Sequence, residues 1–239
     1  TALVCRPVFS FLFYLVYFKK SYALVSFLKS YKPDFSKVKD LLPYISMTLI
    51  SAGLVQVIEI WLRNLISSEI DLESAGFWTA MNNISSHYFT FVSFVFTLYV
   101  LPKFSENNLS FELYSESKSI LKTLLSFVTP ALCLLYFFRT PIVHLLYSSD
   151  FLEITPLFKW QLTADWFRVI FLVFAYYIVA KRRLVDYFII ELFSFSVFIG
   201  LSSYLVNPYG IGGVVMANTI RYAGCLILIV FLLRKKLFS

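Results

Sequence analysis

Residues 184–206 read LVDYFIIELFSFSVFIGLSSYLV, an apolar run in which only Asp186 and Glu191 are charged. A transmembrane α-helix needs about 20 mostly apolar residues to cross roughly 30 Å of hydrocarbon. The run therefore predicts such a helix, and the basic residues Lys181, Arg182 and Arg183 directly before it mark one of its ends.

Further stretches of the chain have the same apolar character. They are residues 2–18, 41–62, 75–101, 118–138, 158–179 and 212–233. A hydrophobic fraction of 59% and an aromatic fraction of 20% are too high for an ordinary soluble domain. The sequence thus predicts an all-α, polytopic membrane bundle of about seven transmembrane helices.

Lysine and arginine are concentrated in alternate gaps between these stretches. One basic set lies in 19–40, one at Lys103, Lys118 and Lys122, one at 181–183 and one at 234–236. Under the positive-inside rule, this predicts the N-terminus outside and the C-terminus in the cytoplasm. Because the net charge of +7 lies at span ends, where it meets lipid headgroups, we expect no nucleic-acid partner.

Residues that commonly bind metals or catalyse reactions are few and scattered. Cys5, Cys133 and Cys225 lie in separate apolar stretches, and His87 is far along the chain from His144. No GxSxG, P-loop or HExxH motif occurs. We therefore expect no cofactor, no metal, no catalytic residue and no enzymatic activity.

The stretch 75–101 carries polar residues every three or four positions, which places them on one face of a helix. They are Thr79, Asn82, Asn83, Ser86, Thr90, Ser93 and Thr97. Lipid cannot hydrogen-bond such groups, so they are expected to face either neighbouring helices or a water-filled cavity. Both interpretations are open on the sequence alone.

Ionisable residues inside the apolar stretches are the second signal of function. They include Arg6, the neighbouring pairs Glu59–Arg63 and Asp165–Arg168, and the single residues Glu191 and Arg221. Each costs at least about 2.5–3.5 kcal/mol in a bilayer unless it is paired or hydrated. The two neighbouring pairs are either local ion pairs or parts of an aqueous cavity for a charged ligand.

Short strings within residues 36–235 support a more specific interpretation. In order they are LRNL (62–65), GFW (76–78), YVLPKFS (99–105), FKWQL (158–162) and YFIIE (187–191). With this order and spacing the chain resembles the C-terminal half of Wzx-type flippases, which include lipid III flippases of enterobacterial common antigen and O-antigen translocases. These belong to the multidrug/oligosaccharidyl-lipid/polysaccharide exporter superfamily.

The resemblance implies two six-helix bundles around a cavity that opens alternately to each side of the bacterial inner membrane. Residues 1–18 would be the last helix of a truncated first bundle, 19–40 a basic cytoplasmic amphipathic connector, and 41–239 the second bundle. The implied substrate is an undecaprenyl-pyrophosphate-linked oligosaccharide, flipped from the cytoplasmic to the periplasmic leaflet. Other implied partners are the bilayer, the missing N-terminal half-bundle, and a polymerase and chain-length regulator of the same pathway.

Site residues follow from the implied substrate. The planar guanidinium groups of Arg63 and Arg221 suit the pyrophosphate. Asn82, Asn83, Ser86 and Thr90 suit sugar hydroxyls. Asp165 and Glu191 are either structural counter-ions or proton carriers that couple transport to an ion gradient.

Three alternatives remain on sequence alone. A drug/cation antiporter of the same superfamily would have mainly acidic and aromatic cavity residues. A membrane enzyme of glycan assembly would need a large periplasmic loop if it were a polymerase, or a well-placed histidine motif if it were an acyltransferase. The last alternative is an inert remnant of a split gene.

Overall fold

The computed structural model describes residues 36–106 and 112–237. The predictions for the apolar stretch 2–18, for Arg6 and for the first part of the connector 19–40 therefore lie outside the described residues. The chain divides into two compact units, Thr1–Leu42 and Pro43–Ser239. Apart from residues 36–42, the described residues all belong to the second unit.

The regular elements of the described segments are all helical, as the sequence predicts. The α-helices are α1 (Ser36–Glu69), α2 (Leu72–Val95), α3 (Leu101–Glu106), α4 (Glu112–Phe137), α5 (Arg139–Leu146), α6 (Phe158–Ala180), α7 (Leu184–Tyr209) and α8 (Ile211–Leu237). A π-helical turn, Phe96–Val100, joins α2 to α3, and a 3₁₀ helix, Ser149–Leu157, precedes α6.

Six segments of the described chain are long and apolar enough to cross a membrane. They are Leu41–Glu69, Leu72–Ser105, Ser115–Phe137, Ser149–Ala180, Leu184–Tyr209 and Ile211–Arg234. Each contains one of the predicted stretches almost completely, so the fold class is confirmed. The segments are mostly longer than predicted because helices continue into polar residues that hydropathy alone excludes.

The two ends of this bundle can be named by the turns that lie there. We call the end with the α1–α2 turn the Asp71 end, and the end with the α6–α7 turn the Arg182 end. Ile70 Cδ1 lies 3.8 Å from the position of a Cβ on Gly210, so the α7–α8 turn is also at the Asp71 end. Tyr44, near the start of α1, accepts a hydrogen bond of 3.1 Å from Arg182 Nε at the other end.

Asp71 fixes where α2 begins. Its extended backbone ends the preceding turn, and its Oδ1 accepts a hydrogen bond of 2.6 Å from the backbone N–H of Ser74. A helix leaves its first four N–H groups without intrahelical partners, and this N-cap satisfies one of them. The Ser74 N–H also holds the pKa of the exposed Asp71 carboxyl below its ordinary value, because it stabilises the charged form.

Pro102 gives a physical reason for the π-helical turn at the far end of the same span. The N–H of Leu101 donates to the carbonyl of Phe96, five residues earlier. The next residue, Pro102, has no N–H to donate, so a regular α-helical ladder cannot continue through it. The helix widens by one residue before the proline, as π-helical turns do.

Large apolar side chains fill three clusters between the helices. At the Arg182 end, Phe96 and Phe104 pack with Tyr177 and Ile178 of α6 and with Ile229 of α8. A second cluster, at the Asp71 end, surrounds Phe158, and a third surrounds Leu62 and Trp78. Other apolar side chains are largely exposed, as expected for helices that face lipid.

The turn between α7 and α8 depends on two glycines. Gly210 has φ +56°, a left-handed conformation that side chains with a Cβ rarely adopt. A Cβ on Gly213 would lie 2.0 Å from the backbone carbonyl oxygen of Leu205 on α7. The two helices therefore approach each other more closely here than any larger residue permits.

We predict that Gly213→Ala lowers the free energy of unfolding by about 1–3 kcal/mol, because α7 and α8 must separate to admit the methyl group. The measurement is the thermal unfolding midpoint of the detergent-purified protein. Gly200→Ala on α7 is the matched control, since nothing lies within 4 Å of its added Cβ. Equal midpoints for the two variants would show that the close contact does not hold the helices together.

Candidate functional site

A small cavity between α1, α2, α6, α7 and α8 is lined by several polar and charged side chains. We call it the polar cavity; its volume is about 160 Å³. Its polar lining residues are Glu59, Asn82, Ser86, Gln161, Arg168, Asn218 and Arg221. The site thus combines two cations and one anion with four neutral amide and hydroxyl side chains, and the rings of Trp78 and Tyr222 also line it.

Aromatic rings hold both arginines of the polar cavity. The guanidinium carbon of Arg168 lies 4.0 Å from the centroid of the Phe89 ring. That of Arg221 lies 4.4 Å from the Phe198 ring and 4.3 Å from the Tyr222 ring. A cation over an aromatic face gains about 0.5–2 kcal/mol without using its N–H groups, which leaves those groups free for a ligand.

Neither arginine forms an ion pair with a carboxylate within residues 36–106 and 112–237, although the charge of Arg168 acts on the nearby Asp165 carboxylate. The sequence left open whether Glu59–Arg63 and Asp165–Arg168 are local ion pairs, and in the structure neither pair forms. Arg168 stacks on Phe89 instead of contacting Asp165. Glu59 accepts a hydrogen bond of 3.4 Å from the Asn82 amide.

Two buried polar atoms at the cavity have no hydrogen-bond partner among the described residues. They are Nε of Arg221 and Oδ1 of Asn218, one turn earlier on α8. A buried polar group without a partner costs about 1–3 kcal/mol, more when the group is charged. A bound ligand or water that pairs with these atoms would recover that free energy.

Asp165 organises the helices beside the cavity. Its side chain is fully buried, and Oδ2 accepts hydrogen bonds from Ser85 Oγ at 2.8 Å, Gln161 Nε2 at 3.2 Å and the Tyr88 hydroxyl. Ser85 and Tyr88 are on α2, whereas Gln161 and Asp165 are on α6. The carboxylate therefore ties α2 to α6 and positions Gln161, which lines the cavity.

The predicted polar face of α2 is divided among different surroundings. Asn82 and Ser86 line the polar cavity, and Asn83 faces another pocket. Thr90 is exposed, and its hydroxyl donates to the Ser86 carbonyl at 2.9 Å.

Four hydroxyl groups of this face are hydrogen-bonded within the helix itself, whichever surroundings they face. Thr79, Ser86, Thr90 and Ser93 each donate to the carbonyl four residues earlier. Serine and threonine can satisfy their own hydroxyl in this way inside a helix. The asparagine amides have no such local partner, so they are the more informative part of the stripe.

Arg63 lies apart from Arg221. It lines a pocket of about 440 Å³ at the Asp71 end together with Thr79, Asn83 and Tyr147. The two arginines that the sequence suggested for a single ligand are therefore in separate cavities.

Glu191 occupies a third location, at the Arg182 end. Its Oε1 accepts a hydrogen bond of 2.5 Å from Ser51 Oγ, which is also 2.5 Å from the Tyr187 hydroxyl. Glu191 lines a cavity of about 410 Å³ at that end, and Asp165 is not among the residues that line this cavity.

Sequence reasoning did not select Arg168, Glu59, Gln161 or Asn218 as ligand-binding residues. Their signal was present, because each is a polar residue in an apolar stretch and shares a helix face with a selected or charged neighbour. The sequence could not show that these four residues, from α1, α6 and α8, line the same cavity.

We predict that Asp165→Ala lowers the unfolding midpoint of the purified protein strongly. The change leaves three buried donors without an acceptor, at about 1–3 kcal/mol each. Asp165→Asn, which keeps one carbonyl oxygen, should have a smaller effect. Asp150→Ala removes an exposed carboxylate from the 3₁₀ helix and serves as the control. A midpoint for Asp165→Ala equal to that of Asp150→Ala would contradict this role.

Comparison with known proteins gives one group of relatives. The chain is 28% identical over 176 residues to the lipid III flippases of Escherichia coli (strain K12) and of Shigella flexneri. The match covers 74% of this chain and 42% of each flippase, so the chain spans less than half the length of these curated relatives. No protein-family model and no solved structure matches the chain. The match identifies the chain as an integral membrane protein that resembles the C-terminal region of Wzx-type flippases.

Proposed function

We propose that this chain is part of a flippase that moves an undecaprenyl-pyrophosphate-linked oligosaccharide from the cytoplasmic to the periplasmic leaflet by alternating access. The observation that carries the proposal is the polar cavity, where two arginines without carboxylate partners among the described residues lie inside an apolar helix bundle. The similarity to lipid III flippases supports the same class of transport.

The chemistry of the polar cavity suits a phosphate group. A guanidinium group donates paired hydrogen bonds to phosphate oxygens, and it is always charged. Arg221 and Arg168 both line the cavity, and Arg221 has a buried N–H without a partner among the described residues. A phosphate between them would be neutralised and hydrogen-bonded where lipid offers neither.

The size of the polar cavity limits what it can hold. Ligand pockets usually measure about 300–1,000 Å³, whereas this one measures about 160 Å³. In this conformation it has room for a phosphate-sized group but not for an oligosaccharide. The sugars would therefore contact residues outside its narrow interior. For that role we propose Asn82 and Ser86, which line the cavity, and Asn83 and Thr90, which lie on α2 outside it.

Arg63 is proposed as a second phosphate contact, in its own pocket at the Asp71 end. If the Asp71 end is periplasmic, as the distribution of lysine and arginine predicts, the headgroup would meet Arg221 first and Arg63 later in an outward passage. The same orientation places the C-terminus in the cytoplasm, in the bacterial inner membrane.

Asp165 and Glu191 are proposed to couple this passage to protons. Each is a carboxylate within a membrane-spanning helix, and each is hydrogen-bonded by residues of another helix. Gain of a proton would change those interhelical hydrogen bonds, which is how carboxylates act in many transporters. The polymerase and chain-length regulator of a glycan pathway are proposed as further partners.

We predict that Arg221→Ala and Arg168→Ala each reduce flipping at least about tenfold. One charge-assisted hydrogen bond to phosphate contributes about 1.5–3 kcal/mol, and about 1.4 kcal/mol corresponds to a factor of ten. Arg221→Lys keeps the charge but loses the planar fork, so it should retain intermediate activity. The measurement is the amount of surface polysaccharide on cells. In these cells the only flippase is the full-length protein that contains this chain.

Arg139→Ala is the matched control for these variants. Arg139 also stacks on an aromatic ring, that of Tyr136 at 4.4 Å, but it lines no part of the polar cavity. Membrane levels of each variant are compared by immunoblot. Surface polysaccharide at wild-type levels in both Arg221→Ala and Arg168→Ala would reject the phosphate assignment.

A further inference from the structure

A groove between α4 and α6 is separate from the polar cavity. We call it the α4–α6 groove; its volume is about 530 Å³, within the usual range for small-molecule sites. Both helices belong to segments that are long and apolar enough to cross a membrane. The groove shares no lining residue with the polar cavity, to which α4 contributes none. It therefore lies outside the proposed phosphate site.

α6 presents opposite faces to the groove and to the polar cavity. Four of its residues line the groove at the spacing i, i+3, i+4, i+7, which is one face of a helix. They are Lys159, Leu162, Thr163 and Trp166. Gln161 and Arg168 line the polar cavity, and at about 100° per residue they lie on the other side of α6. The groove thus faces away from the polar cavity.

The outer side of α4 is apolar and exposed. Phe127, Leu134 and Phe137 have exposed fractions of 74%, 59% and 77%. Large apolar side chains in a membrane-spanning helix are exposed where the helix faces lipid. The groove that α4 forms with α6 is therefore on a side of the bundle that bilayer lipids can reach.

The two walls of the groove run antiparallel. α4 lines it at the same spacing as α6, with Thr129, Leu132, Cys133 and Tyr136. Trp166 Nε1 donates a hydrogen bond of 3.1 Å to Thr129 Oγ1, which closes one end. Leu132 and Leu162 both belong to the cluster around Phe158, so the groove runs from that bond toward the Asp71 end. Seven residues along each helix, about 10 Å, lead to a rim at Tyr136 and Lys159.

Most polar groups inside the groove already have partners within the protein. The Thr163 hydroxyl donates to the Lys159 carbonyl at 2.6 Å, and the Thr129 hydroxyl accepts the hydrogen bond from Trp166. Leu132 and Leu162 are buried and form the floor. The interior is therefore apolar, and it suits a hydrocarbon chain better than a sugar, which needs many hydrogen-bonding partners.

Lys159 gives the rim a positive charge. It is the only charged residue among the described residues that line the groove, and its side chain is exposed. It forms no ion pair within residues 36–106 and 112–237, and its Nζ lies 5.7 Å from the centroid of the Trp160 ring. A lysine near the membrane surface attracts anionic headgroups. The groove therefore suits a molecule with a hydrocarbon chain and a negatively charged head.

The position of the rim agrees with this chemistry. Tyrosine and tryptophan are enriched where a membrane protein meets the headgroups, and Tyr136 and Trp160 lie at or beside the rim. A groove of about 10 Å that begins there covers most of the roughly 15 Å of hydrocarbon in one leaflet. We propose that the α4–α6 groove binds an anionic phospholipid of the bilayer, with an acyl chain along the groove and the headgroup at Lys159.

Other small occupants fit the groove less well. A zwitterionic phospholipid brings a positive charge of its own to Lys159, which offsets the attraction of its phosphate. Inorganic phosphate would leave the apolar wall without a partner.

The test is quenching of Trp166 fluorescence by brominated lipids. The full-length protein that contains this chain is placed in phosphatidylcholine bilayers, and the emission of Trp166 is taken as the difference between wild type and Trp166→Phe. Brominated phosphatidylglycerol should quench this emission at about fivefold lower mole fraction than brominated phosphatidylcholine. That factor is the preference that one lysine provides for an anionic headgroup.

Each further variant is measured with and without Trp166→Phe. Lys159→Gln should make the two lipids equal, whereas Lys159→Arg keeps the charge and should keep the preference. Cys133→Phe fills part of the groove without a change of charge and should reduce the preference. Lys122→Gln is the matched control and should behave as wild type does. Lys122 is an exposed lysine of α4 that does not line the groove.

Equal quenching by the two lipids in wild type would overturn the proposal. So would a full preference in Lys159→Gln or in Cys133→Phe. Quenching by neither lipid would also overturn it, because protein would then cover the groove.

Native mass spectrometry of wild type and Lys159→Gln makes the same comparison if Trp166→Phe does not fold. Phosphatidylglycerol should bind to wild type at about fivefold lower lipid concentration than to the variant, and equal binding would overturn the proposal. None of these results depends on flipping of a lipid-linked glycan, so the outcome is independent of the proposed function.

Discussion

A single buried carboxylate supports the candidate site. Asp165 accepts hydrogen bonds from Ser85 and Tyr88 of α2 and from Gln161 of its own helix, so it fixes how α2 lies against α6. All three hydrogen bonds go to Oδ2, whereas Oδ1 has no hydrogen-bond partner, and the nearby Arg168 stacks on Phe89 without forming an ion pair with Asp165. The same carboxylate thus determines the helix packing and leaves an arginine available at the polar cavity.

The abundance of aromatic residues has a related consequence. A buried arginine needs something to offset its desolvation, and a carboxylate would also consume its N–H groups. Phe89, Phe198 and Tyr222 offset part of that cost through their ring faces. Cations held in this way can still donate to a ligand.

The sequence predicts the helices well because hydropathy reports directly on the length of an apolar segment. It connects Asn82, Ser86 and Arg221 only through an assumed common ligand, and the structure places Arg63, predicted for the same ligand, in a separate pocket. Residues one turn apart on a helix are readily recognised from spacing. Glu59, Arg168 and Asn218 come from different helices, and they meet at one cavity only because of how those helices pack. The spacing of residues along the sequence carries no information about that packing. The orientation in the membrane and the part of the chain before residue 36 remain predictions.

The central claim is that the arginines of the polar cavity bind phosphate. It is tested most directly by modifying the protein in membranes with phenylglyoxal, an arginine reagent, with and without inorganic pyrophosphate, and mapping the products by mass spectrometry. We expect pyrophosphate to protect Arg168 and Arg221 but to leave Arg139 as reactive as before. Equal modification of all three arginines with and without pyrophosphate would contradict the claim.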